Sequence, residues 1–321
     1  MNMDYIQQAF KGLHDGWRYF VGTIIVIVFV IIGQIPFTVA AIVEASNQGM
    51  SFFELDETTL MTILEPNLNL FLMLLSFAFG LLGLLLVNKY LHKMSLTQLT
   101  TAREKIDWKR FWTIFFGWGI ISSGFVLMDY FMAPDDYVLN FNLSKFLILC
   151  IIAIIMVPLQ TSCEEYLFRG YLMQGLGVVT KNRWFPLLFT SLVFGLLHIA
   201  NPEVDKLGYI IMIYYIGTGL FLGIVTLMDE GLELALGFHA ANNLFTALLV
   251  TADWTAFKTY SIFKDMSDPT EATFVDIIVP VFVIFPILLF ILSKMYGWSN
   301  WKERLLGKVT EPPKEDYKII E

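Results

Sequence analysis

The chain has few charged residues and almost no cysteine. Charged residues make up 16% of its 321 positions, whereas a soluble globular chain has about a quarter. Apolar residues make up 56%, so the composition argues against a soluble domain and predicts a membrane protein. The two cysteines, Cys150 and Cys163, lie in one apolar stretch, which argues against a disulfide framework.

Long apolar stretches dominate what the sequence does contain. A transmembrane helix needs about 20 mostly apolar residues, and we predict eight such helices, of which the fifth is short. They cover approximately residues 19–43, 68–90, 111–131, 146–175, 184–199, 209–228, 232–251 and 274–296. The first stretch is too long for the apolar part of a cleavable signal peptide, and no A-x-A-like site follows it. We therefore expect an all-α, polytopic membrane protein.

Positive charge is concentrated in alternate connections between these stretches. The N-terminus, the connection after the second stretch, the connection after the fourth and the C-terminal tail, counted with the adjoining ends of the stretches, hold 17 of the 21 Lys and Arg residues. The other connections are acidic, with Glu54, Asp56, Asp135 and Asp136 among their residues. Because cytoplasmic connections carry excess Lys and Arg, we expect both termini to be cytoplasmic. We further expect residues 1–300 to form one transmembrane domain and residues 301–321 a cytoplasmic tail.

The predicted cytoplasmic segments contain two further features. Residues 95–110 fit either a basic amphipathic segment on the membrane surface or an ordinary positively charged loop. His14 and His92 lie in basic segments outside the predicted spans, so we expect both to be solvated surface residues.

Five ionisable side chains interrupt the apolar stretches. They are Glu164, Glu165, Arg169, His198 and His239. A charge buried in a bilayer costs about 3 kcal/mol even by the mildest estimates, so such residues usually serve function. These five lie on three separate predicted helices and combine carboxylate, guanidinium and imidazole groups, a set typical of hydrolases. The sequence therefore predicts a polar site within the membrane.

The carboxylates of the fourth predicted helix have different expected partners. Arg169 follows Glu165 by four residues, the spacing at which two side chains meet on one helix face. Glu164 points about 100° away, toward the face of Gln160, so it is the less committed carboxylate and the candidate general base. A purely structural ion pair would explain Glu165 and Arg169 but does not require Glu164.

The histidines offer hydrogen-bond donors on two other helices. His239 and Asn243 are one turn apart, so both could donate to an oxyanion on an attacked carbonyl. Each polar residue also has a structural interpretation, as a hydrogen-bonding link between helices. Counted from the turn near residues 177–183, Glu164 and His198 both lie about 20 Å deep, so the two side chains could converge, with His239 somewhat shallower.

Three ordered motifs carry a resemblance to a known family. Glu164-Glu165-x-x-x-Arg169, Phe194-x-x-x-His198 and His239-x-x-x-Asn243 resemble the motifs of the CPBP family. That family contains the type II CAAX prenyl endopeptidases, the Rce1-like proteases and the bacteriocin-immunity (Abi) proteins. The match covers roughly residues 150–250, and the predicted eight helices are similar to those of the family.

The resemblance implies a role for each motif residue. Glu164 activates a water with help from His198, His239 and Asn243 stabilise the oxyanion, and Glu165 and Arg169 support the site. An alternative view of the family makes it a zinc metalloprotease, for which Glu164, His198 and His239 are the candidate ligands. The chain contains no H-E-x-x-H pair, so we favour water activation without a cofactor and keep zinc as the alternative.

The sequence thus predicts an intramembrane endopeptidase similar to CAAX proteases, with its catalytic core at about residues 145–255. It would cut a protein or peptide substrate, membrane-associated or lipidated, near the cytoplasmic side of a bacterial plasma membrane, and would bind no nucleic acid. One alternative is a non-enzymatic membrane protein that confers immunity or binds a partner. Another is a transporter in which buried Glu and His relay protons.

Overall fold

The computed structural model describes residues 3–51, 57–271 and 274–317, and the fold is mostly helical. Glu54, Asp56 and the last four residues of the predicted tail lie outside the described residues. The helices are α1 (Gly16–Asn47), α2 (Glu57–Leu60), α3 (Pro66–Leu86), α4 (Leu96–Thr100), α5 (Trp108–Met132), α6 (Leu143–Glu165), α7 (Met173–Thr180), α8 (Trp184–Leu196), α9 (Pro202–Leu207), α10 (Met212–Asp229), α11 (Glu233–Leu249), α12 (Phe274–Val279), α13 (Phe285–Tyr296) and α14 (Trp301–Leu306).

Several helices continue into a π-helical turn, which is wider than an α-helical turn. A π-helical turn, Tyr166–Leu172, joins α6 to α7, and others extend α3 and join α12 to α13. The fourth apolar stretch therefore forms a continuous span, Leu143–Thr180. Because π-turns inside helices occur frequently at functional sites, the turn that starts directly after Glu165 indicates a functional site in this part of the span.

Local capping explains where the helices around the site begin. The side chain of Asp107 accepts hydrogen bonds from Lys109 N and Arg110 N at the start of α5. Asn142 accepts from Lys145 N at the start of α6. These side chains satisfy N–H groups that the first helical turn leaves without a partner, so the sequence fixes both helix starts.

Helix is present in all eight predicted stretches, but they differ in length. Six helices among the described residues are long and apolar enough to cross a membrane. In contrast, α8 has 13 residues and α11 has 17. At a rise of about 1.5 Å per residue these two span only about 20 and 26 Å, less than a hydrocarbon core of about 30 Å. The polytopic, helical prediction is confirmed, whereas the count of eight crossing helices stays a prediction.

The main apolar core lies where six helices meet. It joins α3, α5, α6, α10, α11 and α13 through side chains such as Leu74, Phe115, Val157, Phe221, Leu244 and Leu288. Large apolar side chains on the outer faces of α1, α5 and α6 are exposed, as expected for surfaces covered by lipid. Polar side chains within the core are therefore shielded both from water and from lipid.

A glycine allows α10 to approach α8 closely. A Cβ at Gly219 would lie 2.8 Å from the Ser191 carbonyl oxygen and 3.0 Å from Ser191 Cα, closer than side-chain atoms pack. Gly219 and Gly223 are four residues apart, the spacing of a small-residue pair that lets two helices pack closely, and Gly219 is used in this way. The close approach also brings the Gly219 carbonyl into the protein interior.

The two chain termini meet on one face of the helix bundle. Asp4 forms an ion pair with Arg183, and Glu230 forms one with Arg304. The backbone N–H of Val309 donates to the carbonyl of Lys181 at 3.0 Å. These contacts place the N-terminal segment, the α7–α8 turn, the α10–α11 turn and the C-terminal segment together. We call this surface the termini face.

A second group of charges, the Asp229 cluster, anchors the connection between α3 and α5 to the termini face. It contains Asp229, Glu233, Arg103, Arg110 and Trp298. Arg103 binds Asp229 at 3.0 Å and Glu233 at 3.1 Å, and Arg110 also binds Asp229.

Residues 95–110, all of which the structure describes, are helical only in α4 and at the start of α5. Arg103 and Arg110 turn inward to pair with acids on α10 and α11, so part of the positive charge of this segment is bound to the protein. The interpretation of residues 95–110 as an amphipathic segment on the membrane surface stays a prediction.

The prediction that His92 is a solvated surface residue is wrong. His92 is 1% exposed. Its Nδ1 lies 2.7 Å from the carbonyl oxygen of Leu13, and its Nε2 lies 2.9 Å from the Tyr171 hydroxyl. Burial lowers the pKa of His92 to about 4, because an imidazolium loses its hydration there. Sequence position outside an apolar stretch gave no indication that the N-terminal segment would fold over this residue.

The opposite ends of α5 and α11 carry a small sheet. Its strands are β1 (Tyr137–Leu139), β2 (Val250–Ala252) and β3 (Phe263–Asp265), in the order β1-β3-β2. The strand β1 pairs antiparallel with β3 and β2 pairs parallel with it. Since β1 precedes α6 and β2 directly follows α11, the sheet ties together the ends of three helices that bear on the site.

Candidate active site

The best-paired group in the candidate site is Glu165. Its Oε1 lies 3.0 Å from Arg169 Nη1 and 2.7 Å from His239 Nδ1. Arg169 Nη2 also donates to the Gly219 carbonyl at 3.1 Å. The side chains of Glu165 and Arg169 are fully buried. The predicted Glu165–Arg169 pair is therefore present, and it also fixes the imidazole of His239.

Glu164 is the less committed carboxylate, as the helix geometry predicted. Its Oε2 lies 3.5 Å from His239 Nε2, and the side chain is 12% exposed. That oxygen is buried and accepts no hydrogen bond from the described residues. We call Glu164, Glu165, Arg169 and His239 the Glu164 cluster. Glu164 is the one carboxylate in it that both faces an imidazole and has no strong partner.

A chain of amides continues from the Glu164 cluster. Asn243 Nδ2 lies 3.5 Å from His239 Nε2 and donates to Gln160 Oε1 at 3.2 Å. Two nitrogens at that separation can both contact one oxygen atom placed between them. Gln160 lies one turn before Glu164 on α6, so the same helix face supplies both the carboxylate and the partner of Asn243.

His198 lies beside the cluster but does not pair with it. Its Nδ1 donates to the Phe194 carbonyl at 2.8 Å, and its ring stacks on Tyr215 with centroids 4.5 Å apart. Within the described part of the chain, no hydrogen bond or ion pair joins His198 to Glu164 or His239. The predicted convergence of His198 with Glu164 is therefore not a direct contact, and His198 is linked to the cluster through a neighbour that it shares with His239.

That neighbour is the ring of Phe194. Its centroid lies 4.9 Å from that of His198 and 6.0 Å from that of His239. The Arg169 guanidinium carbon lies 4.1 Å from the same centroid. A cation above an aromatic face is stabilised by about 2 kcal/mol when desolvated, so Phe194 helps to hold the buried Arg169. The motif had been noted for its histidine, and the geometry gives its phenylalanine a role as well.

The donor set does not fit a three-ligand zinc site. Such a site needs three protein ligands at about 2.0–2.2 Å from the ion. Glu164 Oε2 and His239 Nε2 are near each other, but His198 forms no hydrogen bond or ion pair with either of them among the described residues. Among the described residues, no three His, Cys, Asp or Glu side chains are grouped to hold a metal. No step below is therefore derived through zinc.

Comparison with known proteins gives a family for this arrangement. The model of the family described as "Type II CAAX prenyl endopeptidase Rce1-like" matches residues 142–245. The chain is 31% identical over 250 residues to the uncharacterized protein YyaK of Bacillus subtilis (strain 168). That alignment covers 78% of this chain and 83% of the relative. The chain belongs to the Rce1-like type II CAAX prenyl endopeptidase family. No solved structure matches it.

Membership in the Rce1-like family agrees with the predictions of a membrane protein and of a peptidase. The protein is a multi-pass integral membrane protein of a peptidase family, and a peptidase acts on a protein or peptide. The matched region includes all three motifs, from Glu164 to Asn243. The role of each residue rests on the geometry above rather than on the match.

Sequence reasoning missed two residues that this Rce1-like protein places next to the site. Asn242 Nδ2 donates to Asn243 Oδ1 at 3.2 Å, and Trp118 Nε1 donates to Asn242 Oδ1 at 3.1 Å. Asn242 is adjacent to a motif residue, which was a usable signal. Trp118 lies on α5, outside the matched region, and nothing in its sequence surroundings distinguishes it from the neighbouring tryptophans of that helix.

Proposed function

We propose that this protein is an intramembrane endopeptidase in which Glu164 is the general base. The observation that supports this most directly is the difference between the two carboxylates of α6. Glu165 is fully buried and its Oε1 is held by Arg169 and His239, whereas Glu164 has no such bonds, is 12% exposed and lies 3.5 Å from His239 Nε2. A carboxylate without strong partners can accept a proton from water, whereas a carboxylate held in a buried ion pair would weaken that pair by doing so.

In the proposed reaction Glu164 takes a proton from a water molecule as the water oxygen attacks the peptide carbonyl carbon. The carbonyl oxygen then carries the negative charge of a tetrahedral intermediate. The intermediate collapses by breaking the C–N bond, and Glu164 returns its proton to the leaving amine. One carboxyl group thus serves as base and then as acid, so the step needs no other proton source. His198, beside Phe194, would assist by orienting the water.

His239 and Asn243 are the proposed donors to the oxyanion. Their nitrogens are 3.5 Å apart, so one oxygen can lie within hydrogen-bond distance of both. Because His239 Nδ1 is bonded to Glu165, donation from Nε2 requires the imidazolium form. With both glutamates ionised and Arg169 charged, that form makes the net charge of the Glu164 cluster zero. The cluster is thereby suited to His239 as a donor.

The proposed orientation in the membrane follows from the distribution of Lys and Arg along the chain. Eight membrane helices with both termini in the cytoplasm would place the termini face, and the proteolytic step, toward the cytoplasmic side of a bacterial plasma membrane. The side chain of Gln7 donates to the Thr310 carbonyl at 3.0 Å, and this contact between the N-terminal and C-terminal segments agrees with an even number of crossings. We also propose a single transmembrane domain over residues 1–300, a catalytic core at 145–255, a cytoplasmic tail over 301–321 and a membrane-associated or lipidated protein substrate.

The test compares protein termini in membranes of cells that lack this protein, complemented with the wild type, Glu164→Gln or Glu104→Gln. Glu104 is an exposed glutamate and provides the matched control. We expect termini that depend on the wild type to be restored by Glu104→Gln and absent with Glu164→Gln. Wild-type termini in the Glu164→Gln cells would show that the proposal is wrong. If no terminus depends on the protein at all, a non-enzymatic immunity or partner-binding function replaces it.

A further inference from the structure

A directed chain of hydrogen bonds runs from α5 to the candidate oxyanion site. Trp118 Nε1 donates to Asn242 Oδ1 at 3.1 Å, Asn242 Nδ2 donates to Asn243 Oδ1 at 3.2 Å, and Asn243 Nδ2 donates to Gln160 Oε1 at 3.2 Å. At its far end, Asn243 Nδ2 also lies 3.5 Å from His239 Nε2. The chain thus connects a tryptophan outside the three motifs to both proposed oxyanion donors.

The tryptophan sets the direction of this chain. An indole N–H donates and never accepts, whereas each side-chain amide has a donor end and an acceptor end. Trp118 therefore requires Asn242 to present its oxygen. Asn242 must then present its NH₂ group to Asn243, so Asn243 turns its oxygen toward Asn242 and its NH₂ group toward the site.

Gln160, Tyr214 and His239 do not supply this direction. The imidazolium form proposed for His239 has no nitrogen that can accept a hydrogen bond. Gln160 is an amide that can itself turn over to suit either orientation of Asn243. The Tyr214 hydroxyl, which lies beside Asn242, can either donate or accept. Without the indole, the whole chain could reverse, and Asn243 would then present a carbonyl oxygen to the developing oxyanion. That oxygen would repel the charge instead of stabilising it.

Trp118 is also held firmly enough to act as an orienting group. Its side chain is 6% exposed, and its ring stacks on Phe238 with centroids 4.6 Å apart. The backbones of α5 and α11 are in close contact here, since a Cβ at Gly237 would lie 2.4 Å from the carbonyl oxygen of Phe111. The indole therefore cannot move away from Asn242 without separating the two helices.

We propose that Trp118 is a positioning residue that fixes the amide of Asn243 with its NH₂ group toward the oxyanion. This inference rests on the proposed function, in which Asn243 donates to that oxyanion. It extends the functional unit to α5, a helix outside the region that the family model matches. Trp118 itself does not contact the reacting atoms.

The principal variant is Trp118→Phe, which keeps an aromatic ring against Phe238 and removes the N–H donor. The measurement is the cleavage rate of a fluorogenic peptide that spans a Glu164-dependent cleavage position. We expect kcat to fall about tenfold with KM unchanged, because a directing hydrogen bond is worth about 1.4 kcal/mol. Trp112→Phe, at an exposed tryptophan on the same helix, is the control and should leave kcat unchanged.

A second variant separates the effect of hydrogen-bond direction from the effect of side-chain packing at Trp118. Asn242→Asp keeps an oxygen for Trp118 but has no NH₂ group for Asn243, so it should lower kcat by a similar factor while Trp118 is intact. In an Asn243→Ala background neither change should lower kcat further, since the group that they orient is gone. A merely structural role would instead lower kcat by the same factor in both backgrounds.

The outcomes distinguish this inference from the proposed function. If Asn243→Ala lowers kcat but Trp118→Phe leaves it unchanged, the positioning role of Trp118 is wrong and the oxyanion role of Asn243 survives. Additive losses from Trp118→Phe and Asn243→Ala would also overturn the positioning role. If Asn243→Ala leaves kcat unchanged, the oxyanion assignment is wrong, and the inference about Trp118 is wrong with it.

Discussion

The Asp229 cluster and the Glu164 cluster are both buried groups of opposite charges, but their polar atoms are paired to different degrees. Asp229 accepts hydrogen bonds from Arg103, Arg110 and Trp298. Both oxygens of Glu233 are also bonded, one to Arg103 and the other to the backbone N–H of Asp107. Every carboxylate oxygen of the Asp229 cluster thus has a partner.

The Glu164 cluster leaves polar atoms without partners. Glu164 Oε2, Glu165 Oε2 and Arg169 Nε are all buried and have no hydrogen-bond partner in the described part of the chain. Each such atom costs about 1–3 kcal/mol, so a cluster built for stability would not retain three. The comparison indicates that the Asp229 cluster holds the termini face together, while the Glu164 cluster keeps hydrogen-bonding capacity for molecules that arrive there.

The largest expected effect is on activity, at Glu164. Glu164→Gln should lower kcat about 10³-fold, equivalent to about 4 kcal/mol, because general-base catalysis typically contributes that much. The same change should leave the thermal midpoint in detergent unchanged or higher, since it replaces an unpaired buried carboxylate by a neutral amide. A clear fall in the midpoint would make Glu164 a structural residue and remove the contrast between the clusters.

At Arg103 we expect the opposite pattern, a loss of stability without a loss of activity. Arg103→Ala removes one of the two ion-pair partners of Asp229 and the single partner of Glu233 among the described residues, and breaking a buried pair costs about 3 kcal/mol. We expect a lower thermal midpoint in detergent and an unchanged kcat for the protein that stays folded. Lys105→Ala, at an exposed neighbour, should change neither quantity. An unaltered midpoint for Arg103→Ala would contradict the structural role of the Asp229 cluster.

A pH effect of about 2 kcal/mol is expected from His92, whose two ring nitrogens are both bonded. Its folded pKa of about 4 lies below the ordinary value of 6.5, so between these two values the unfolded chain binds a proton that the folded chain excludes. Stability therefore falls as pH decreases through this window, by about 2 kcal/mol between pH 7 and pH 5.

The measurement for His92 is the difference between two stability profiles. Unfolding of the wild type and of His92→Gln is followed from pH 7 to pH 5, because glutamine lacks the titrating group but the two proteins share all others. We expect the wild type to lose more stability than the variant on acidification. Parallel profiles would mean that His92 is not held neutral.

The smallest effect is expected where a charge pair is exposed. Asp253 and Lys264 lie 2.8 Å apart near the sheet, but the Asp253 side chain is 74% exposed. Water screens such a pair, so Asp253→Asn should change the free energy of unfolding by less than about 0.5 kcal/mol. A loss comparable to that of Arg103→Ala would mean that burial does not explain the difference between charge pairs in this protein.

Helix-local features of the site were predictable from the sequence. The four-residue spacing of Glu165 and Arg169 placed them on one face, and the same rotation left Glu164 free of that pair. Both follow from the geometry of a single helix, which needs no knowledge of its neighbours. The apolar stretches likewise identified the helices, because only helix satisfies the backbone of such a segment in lipid.

Contacts between helices were not predictable in the same way. The shortest bond of His239 is to Glu165 rather than to Glu164, and His198 bonds the Phe194 carbonyl instead of either glutamate. Depth along two helices limits which residues could meet, but it does not fix the rotation of one helix about its axis relative to another. That rotation decides which of two adjacent glutamates faces an imidazole.

By itself, the sequence determined that this protein is helical, that it enters a membrane and that charge is retained inside it, because composition and periodicity act along one segment at a time. Only the tertiary structure decided which charges are fully paired and which are left open, that His92 is buried and that Trp118 orients the amides of α11. Those properties depend on side chains far apart in the chain, whose distances are set by the packing of whole helices.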